Sequence, residues 1–403
     1  MSVSARIYTA GSVLFGGQPI VDDLTNAGYS AVILWAVHVS PTGDLKLNNT
    51  PLVTGGVYQS DALGDLADRL AQLKRNGLQI LFCVGEDSQS HGDYYNIYNL
   101  LAAGPDSKSY QTLANNFSAL FQAMSAAGAD IDAIDMDNED YYENDVIVLF
   151  ADLLQAAGCP SVTFCPFENL PFWQSALQDL TNKYGDSFVG AVHLQCYTGG
   201  RPNQPSQWGK MIADASSNAL LIPGLASIQA KPGPWWDKAS NKMGGSVVVT
   251  PGVAMYGDAD WSKLLRVENY QKPEEALQAA KSGETFFFHC KEAVGLGQRL
   301  FQKGDTVFFA GEPQWGTAPQ CDAYSLSQGC GNLANPADVG ACPAGLLKQF
   351  ASWKGDRYPP QGGFIWLYDG IANCLLAGCC GGTEKAPAAT ATAYRQAITD
   401  GLS

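Results

Sequence analysis

Short apolar runs alternate with amphipathic segments along most of the chain. Eight runs with strand-like composition lie at 6–9, 31–38, 78–84, 131–139, 161–166, 190–197, 219–225 and 363–368. Helix-like apolar spacing occurs at 63–76, 109–127, 145–157, 172–183, 207–216 and 346–353. This alternation predicts a parallel sheet with right-handed crossovers. A closed (β/α)8 TIM barrel explains eight strands better than an open sheet does, and places chemistry at their carboxyl ends.

The connection between the seventh and eighth predicted strands is too long for a loop. It extends from residue 225 to residue 363 and contains strand-like and helix-like segments of its own. A connection of that length inside a compact domain is expected to carry its own fold. We therefore predict a small α+β insertion at 240–320, with the barrel formed by 1–239 and 321–403.

Composition and charge narrow the classes of partner. The chain of 403 residues is 46% hydrophobic and 16% charged, which is typical of a globular protein with a substantial core. Its net charge of −15, with no Lys/Arg run, argues against binding to nucleic acid or anionic membranes. A neutral partner such as a carbohydrate fits this charge. The four histidines lack metal-ligand spacing, so we expect no metal. We also expect no cofactor and a monomer.

The eleven cysteines fall into two main populations. Cys83, Cys165 and Cys196 lie in apolar strands and are expected to be reduced core residues. Six others crowd the Gly-rich C-terminal third: Cys321, Cys330, Cys342, Cys374, Cys379 and Cys380. This second group suggests a disulfide framework and an oxidising compartment, although a zinc site is the alternative. We expect secretion or extracellular action, yet the N-terminus shows no signal-peptide pattern.

The segment Asp132-Ala-Ile-Asp-Met-Asp-Asn-Glu139 is the strongest candidate for chemistry. Strand alternation places Asp135, Asp137 and Glu139 on one face, with about 6–7 Å between successive members. Three partly desolvated carboxylates this close cannot all ionise cheaply, so one is expected to hold a proton near neutral pH. A general acid requires such a group. Asp132 has the opposite parity and is expected to point away. The alternatives are a solvated acidic loop or a calcium loop, although no glycine supplies the calcium-loop turn.

This segment resembles the catalytic signature of glycoside hydrolase family 18, the chitinases and endo-β-N-acetylglucosaminidases. That signature is Asp-x-x-Asp-x-Asp-x-Glu at the end of the fourth barrel strand. Segments 31–45, 195–197 and 362–369 resemble the family's second, sixth and eighth strands. One branch of the family also carries an α+β insertion after the seventh strand. Departures from the pattern occur at Ala133, at Cys83-Val-Gly-Glu86 and at Thr198.

The resemblance implies a retaining hydrolase in which the substrate's own 2-acetamido oxygen is the nucleophile. Glu139 would be the acid and then the base, Asp137 would orient the acetamide, and Asp135 would hold Asp137 through a shared proton. Tyr197 would donate to the acetamide oxygen. The remaining residues that the resemblance implies for substrate binding are Trp366, as the floor of the sugar pocket, with Gln195, Asp132, Tyr8 and Trp35.

The predicted function is cleavage of β-1,4-linked N-acetylglucosamine in chitin or chito-oligosaccharides. A catalytically silent glycan-binding or inhibitor-like barrel is a second hypothesis, since a fold does not fix a function. Such proteins typically replace the terminal Glu of the signature, which this chain keeps as Glu139. A third hypothesis is an endo-β-N-acetylglucosaminidase acting on N-glycans.

Overall fold

The protein is represented by a computed structural model that contains two compact units. Residues 3–85, 92–143, 145–197, 200, 202–227, 235–237, 242–248, 289–290, 306–311, 320–321, 323–326, 343–376 and 390–403 are described. The first unit comprises Met1–Leu225, Gln349–Tyr368 and Ile398–Ser403. The second comprises Ala226–Lys348 and Asp369–Ala397. The candidate functional residues considered below all belong to the first unit.

A twelve-stranded sheet organises the first unit. Its main strands are β1 (Ser4–Thr9), β2 (Ala31–Val39), β6 (Gln79–Val84), β7 (Ala133–Met136), β8 (Val162–Phe164), β9 (Val189–Val192), β10 (Leu220–Leu221), β11 (Gly224–Ala226) and β18 (Gly362–Trp366). A short antiparallel excursion follows β2 and consists of β3 (Leu45–Leu47), β4 (Thr50–Thr54) and β5 (Val57–Tyr58). The fold is therefore mixed α/β, built on a sheet of mainly parallel strands.

The strand order is β10-β9-β8-β7-β6-β2-β1-β18-β11. The two ends of this order, β10 and β11, are neighbours in the chain, separated by Ile222 and Pro223. Backbone hydrogen bonds from this stretch extend to both sides. Ile222 donates to Val192 at 2.9 Å, and Phe364 donates to Pro223 at 3.1 Å. The short segment from β10 to β11 is thus hydrogen-bonded to β9 on one side and to β18 on the other.

Amphipathic helices connect most of the parallel strands. They are α1 (Ser12–Phe15), α2 (Gln18–Ala27), α3 (Ser60–Leu63), α4 (Leu66–Arg75), α5 (Asp93–Leu101), α6 (Lys108–Ala126), α7 (Val146–Ala156), α8 (Leu170–Tyr184), α9 (Pro205–Asp214), α10 (Pro343–Trp353), α11 (Tyr368–Leu376) and α12 (Ala391–Leu402). Apolar side chains such as Leu70, Phe117 and Trp173 are buried on these helices. Among the described residues, no helix is long and apolar enough to cross a membrane.

The described part of the second unit contains two small sheets. An antiparallel four-stranded sheet has the order β12 (Trp235–Asp237), β13 (Lys242–Val248), β15 (Thr306–Gly311) and β17 (Ala323–Leu326). A separate pair consists of β14 (His289–Cys290) and β16 (Gln320–Cys321). The predicted insertion 240–320 lies mostly outside the described residues, and its limits stay a prediction.

The sequence patterns located all eight main strands, with shifted ends. The fourth strand was predicted to reach residue 139 but ends at Met136. The seventh is split because Pro223 has no N–H to donate to a ladder. Five helices were not predicted: α1, α2, α5, α11 and α12. Cys83, Cys165 and Cys196 are buried and free, as predicted, whereas the C-terminal cysteines, for which a disulfide framework was predicted, have side chains outside the described ones.

Candidate active site

The acidic segment extends beyond the carboxyl end of β7. Asp135 lies within the strand, and the N–H of Asp137 donates to the Val84 carbonyl at 2.9 Å, which continues the pairing with β6. Asp135 and Asp137 therefore share a face, as the alternation predicts. Their exposures are 0% and 3%, whereas Glu139 is half-buried. The three carboxylates thus differ in burial, and only Glu139 has substantial access to solvent.

Gly85 allows the third and fourth strands to approach each other at the site. A Cβ atom at this position would lie 2.3 Å from the carbonyl oxygen of Asp137 and 2.7 Å from the Tyr94 ring. Its φ of +101° is also one that side-chain-bearing residues rarely adopt. The glycine is therefore needed both for close approach and for the backbone turn that follows β6.

The turn after Asp137 is shaped by Asn138. Its side-chain amide donates to the Tyr141 carbonyl at 2.6 Å and accepts from the Tyr141 N–H at 3.0 Å. Asp140 then accepts from the N–H groups of Tyr94 and Tyr95, at the first turn of α5. A carboxylate at that position is stabilised by the helix dipole. Glu139 is therefore presented from a turn that is fixed on both sides.

Asp135 is surrounded by hydrogen-bond donors. Its carboxylate accepts from the Tyr8 hydroxyl at 2.5 Å, the Thr163 hydroxyl at 2.5 Å and His193 Nδ1 at 2.7 Å. Burial alone would raise the pKa of Asp135, but His193 and the two hydroxyls outweigh it and hold the pKa below its usual value. Asp135 is therefore the ionised member of the pair.

Asp137 has the opposite electrostatic environment. Burial raises the pKa of Asp137 well above its usual value, and the neighbouring charges of Glu139 and Asp135 raise it further. Gln195 Nε2 lies 3.0 Å from Asp137 Oδ1 and 2.7 Å from Glu139 Oε1, so one amide bridges the two acids. Cys83 Sγ lies 3.9 Å from Asp137 Oδ2. The geometry therefore favours an ionised Asp135 beside a protonated Asp137.

Three aromatic side chains form what we call the aromatic floor: Trp35, Tyr197 and Trp366. The Tyr197 and Trp366 rings are stacked, with centroids 5.8 Å apart and planes at 15°. Trp35 packs edge-on against Trp366 at 4.8 Å and lies within hydrogen-bonding reach of Asp137. Trp35 and Trp366 are half-buried, which leaves part of the floor accessible. The structure therefore brings these predicted residues together with Asp137.

Tyr8 requires a correction. It was predicted to bind substrate, but its side chain is fully buried, and its hydroxyl donates to Asp135 and contacts Cys165 Sγ at 3.3 Å. Burial raises the pKa of Tyr8 well above its usual value, which keeps the hydroxyl a donor. Tyr8 therefore supports Asp135 from below the aromatic floor, where its ring lies 5.6 Å from that of Trp366.

Asp132 also requires a correction. It was grouped with the substrate-binding residues, yet it precedes β7 and lies at the amino end of the strand. Both of its carboxylate oxygens lie 2.6 Å from Lys74 Nζ, and one accepts from the Ile80 N–H at 2.7 Å. These contacts join the end of α4 to the start of β6 and β7. Asp132 is therefore structural and lies apart from the other three acids.

Sequence reasoning missed the polar residues beneath the carboxylates. His193 was noted only for its lack of metal-ligand spacing, and Arg6 and Thr163 were not considered. The available signal was periodic: polar side chains occupy alternate positions in otherwise apolar strands, as in Arg6-Ile-Tyr8 and His193-Leu-Gln195. In a sheet covered by helices, such residues face a polar interior.

The arrangement can transfer a proton beside negatively charged, partly desolvated side chains. Glu139 has solvent access and a donor on one oxygen, while Asp137 and Asp135 supply one proton and one negative charge. Among the described residues, no group of His, Cys, Asp and Glu is placed to hold a metal ion. The chemistry that these side chains themselves offer is acid–base catalysis with stabilisation of positive charge.

Comparison with known proteins reveals only distant structural similarity. No family model and no curated protein matches the sequence. A GH18 chitinase from Pseudoalteromonas aurantia is 13% identical, covering 56% of this chain and 81% of that one, with a TM-score of 0.36. The spore cortex-lytic enzyme SleL of Bacillus megaterium is 12% identical, covering 95% and 75%, with a TM-score of 0.43. Old Yellow Enzyme from Pichia is 8% identical, covering 55% and 72%, with a TM-score of 0.35. These similarities carry no functional argument, and any assignment rests on the side chains.

Proposed function

We propose that the protein is a retaining glycoside hydrolase that cleaves β-1,4-linked N-acetylglucosamine by substrate-assisted catalysis. The observation that carries the proposal is the bridge from Gln195 to both Asp137 and Glu139, beside the ionised Asp135. The three carboxyl groups therefore have three different environments. An active site in which one carboxyl group donates a proton and another stabilises positive charge requires such groups to have different pKa values.

Glu139 is the proton donor in this proposal. Gln195 donates to Oε1, which favours the proton on Oε2. Glu139 protonates the leaving oxygen, and the substrate's acetamido oxygen attacks the anomeric carbon to form an oxazolinium ion. Glu139 then takes a proton from water, which opens that ion with net retention. Substrate-assisted hydrolysis needs no protein nucleophile.

Asp137 and the aromatic floor position the acetamido group. Asp137 orients the acetamide N–H, and the nearby negative charge of Asp135 stabilises the cation that forms. Tyr197 is stacked on Trp366, so its ring has little freedom and its hydroxyl can hold the acetamido oxygen near the anomeric carbon. The faces of Trp35 and Trp366 offer apolar surface to the sugar ring.

Two architectural points belong to the same proposal. We propose that the parallel sheet closes into a (β/α)8 barrel through residues 221–224. The hydrogen bonds of these residues to β9 and to β18 support this interpretation. We also propose that residues 240–320 form a separate α+β insertion between the seventh and eighth strands. A linear N-acetylglucosamine chain is the expected substrate.

Substrate selectivity tests the mechanism. We expect the protein to cleave chito-oligosaccharides but not cello-oligosaccharides or fully deacetylated chitosan, since only the first contain the acetamido nucleophile. Products are separated by chromatography, and a high-mannose glycoprotein is treated in parallel to detect action on N-glycans. Comparable rates on cello-oligosaccharides would refute the acetamido mechanism. Glycan release from the glycoprotein alone would move the substrate to N-glycans.

A single substitution tests the acid. Glu139→Gln preserves shape but removes the proton donor, so we expect a loss of hydrolysis of about 10²-fold or more with oligosaccharide binding retained. The matched control is Glu143→Gln, the same change at an exposed residue four positions along the chain. Calorimetric binding and product release are measured for both variants. Wild-type turnover by Glu139→Gln would rule out Glu139 as the acid.

A further inference from the structure

A buried polar chain extends behind the carboxylates, away from the aromatic floor. Arg6 Nη1 lies 2.8 Å from His193 Nε2, and His193 Nδ1 lies 2.7 Å from Asp135 Oδ1. The exposures of Arg6, His193 and Asp135 are 6%, 0% and 0%. A buried charge is costly unless it is paired and hydrogen-bonded. Here two opposite charges lie on either side of one imidazole.

The contacts determine the protonation of that imidazole. A guanidinium only donates, so His193 Nε2 must accept from Arg6, which leaves the ring proton on Nδ1. Nδ1–H then donates to Asp135. A second proton on Nε2 would face the guanidinium donor directly. Burial lowers the pKa of His193, and the charge of Arg6 adds to this, which keeps the ring neutral despite Asp135.

The charges of the other groups around Asp135 also affect its proton affinity. The titratable and charged groups that face it are Arg6 and Tyr8 from β1, Cys83 from β6, Asp137 and Glu139 beyond β7, Cys165 beyond β8, Tyr94 from α5, and His193. Burial raises the pKa of the Cys83, Cys165 and Tyr94 groups well above their usual values, so they are neutral. Arg6 is therefore the one positive charge in this group.

We propose that Arg6 and His193 form a positioning pair that fixes Asp135 as the anion and so keeps the proton of the buried carboxyl pair on Asp137. Neither residue touches substrate in this arrangement. Arg6 fixes the tautomer of His193, and His193 presents a donor that suits only the ionised form of Asp135. The inference deepens the proposed function and rests on it for its catalytic consequence, but the tautomer itself is independent of any activity.

The tautomer can be measured directly. With selective ¹⁵N-histidine labelling, the chain gives only four histidines to resolve: His38, His91, His193 and His289. His193→Asn identifies the His193 signals by their loss. We expect the wild-type ring to be neutral and protonated on Nδ1 from about pH 5 to pH 8, where a free histidine would titrate near pH 6.5. In Arg6→Met, Nε2 loses its obligatory donor, and the ring should become protonated within that range. A wild-type ring protonated on Nε2, or on both nitrogens at pH 7, would overturn the proposal.

The pH profile of hydrolysis tests the consequence. His193→Asn keeps an amide donor near the Nδ1 position, whereas His193→Leu removes it. Losing a hydrogen bond to a buried carboxylate should raise its proton affinity by about one to two pH units. We expect the acidic limb of kcat to move up by that amount in His193→Leu and to be largely restored in His193→Asn. Equal profiles in both variants would overturn the proposal, because a merely structural histidine would affect yield and thermal stability instead.

Thr163→Val is a second test of the same carboxylate with a lower risk of misfolding. It removes another donor from Asp135 without leaving Arg6 unpaired, and its shape is close to that of threonine. We expect a smaller upward shift of the same acidic limb, and an unchanged limb would count against an ionised Asp135. If no substrate is hydrolysed, the proposed function fails. The ¹⁵N spectra of the wild type and of Arg6→Met then still decide the state of His193.

Discussion

Asp137→Asn should be more stable than the wild type, by a margin that grows as the pH rises, although the substitution should abolish efficient hydrolysis. Asp137 is 3% exposed and has the charges of Asp135 and Glu139 as neighbours, so the folded protein keeps it protonated above the pH at which the unfolded chain ionises. Over that range the unfolded state binds fewer protons, and stability falls with increasing pH. Asparagine is neutral in both states and avoids this penalty, while its carbonyl can still accept from Gln195.

The magnitude follows from proton linkage. One proton held only by the folded state costs about 1.4 kcal/mol for each pH unit above the unfolded pKa of about 3.9. The wild type should therefore lose about 1.4 kcal/mol relative to the variant for each pH unit over which only the folded protein holds the proton. For 403 residues, an unfolding entropy of about 2.1 cal/mol/K per residue converts this into a relative Tm difference of about 1.6 °C for each such pH unit.

Differential scanning calorimetry at a series of pH values above about 4.5 measures this difference. Asp179→Asn is the matched control, because it removes one carboxylate from an exposed position on α8. We expect its difference from the wild type to change little with pH. A Tm difference between wild type and Asp137→Asn that does not grow with pH would show that Asp137 is ionised in the folded protein. The assignment of the proton to Asp137 would then be wrong.

Three further substitutions separate chemistry from support. Tyr197→Phe keeps the ring stacking but deletes the hydroxyl, so kcat should fall by about 10²-fold with oligosaccharide affinity nearly unchanged; a wild-type kcat would exclude the hydroxyl from catalysis. Gly85→Ala should lower both Tm and kcat, because the new Cβ would lie 2.3 Å from the Asp137 carbonyl oxygen; an unaltered thermal melt would contradict this. Asp132→Asn should weaken the ion pair with Lys74 at a cost of up to about 1 kcal/mol and leave kcat/KM within about twofold. A large loss of kcat/KM would return Asp132 to the active site.

The alternation of acids located the site, because strand periodicity is local and was already visible in the sequence. It placed Asp135 and Asp137 on one face, and the structure confirms this. Periodicity does not indicate depth along a strand, however. Tyr8 and Trp366 both lie in strands that border the site, but Tyr8 is fully buried and Trp366 is partly accessible. Depth depends on the register between neighbouring strands, which a single sequence does not specify.

The proton assignment depends on contacts between distant parts of the chain. The family resemblance seen in the sequence implies one proton shared between Asp135 and Asp137, whereas Asp135 accepts hydrogen bonds from Tyr8, Thr163 and His193. These partners come from β1, from β8 and from the residue that follows β9, and are separated from Asp135 by between 28 and 127 positions. Their effect on an ionisable group requires the folded geometry.

The eight-residue acidic segment contains one acid with a structural role and one with a proposed chemical role. Its first acid secures the amino end of a strand through Lys74, and its last acid lies beyond the carboxyl end, within the candidate active site. A change at Asp132 is therefore expected to affect stability and to leave the proposed chemistry intact, whereas a change at Glu139 is expected to do the reverse. In a related sequence, the residue at the first position would indicate how the strand is supported, and the residue at the last position whether the proposed proton donor is kept.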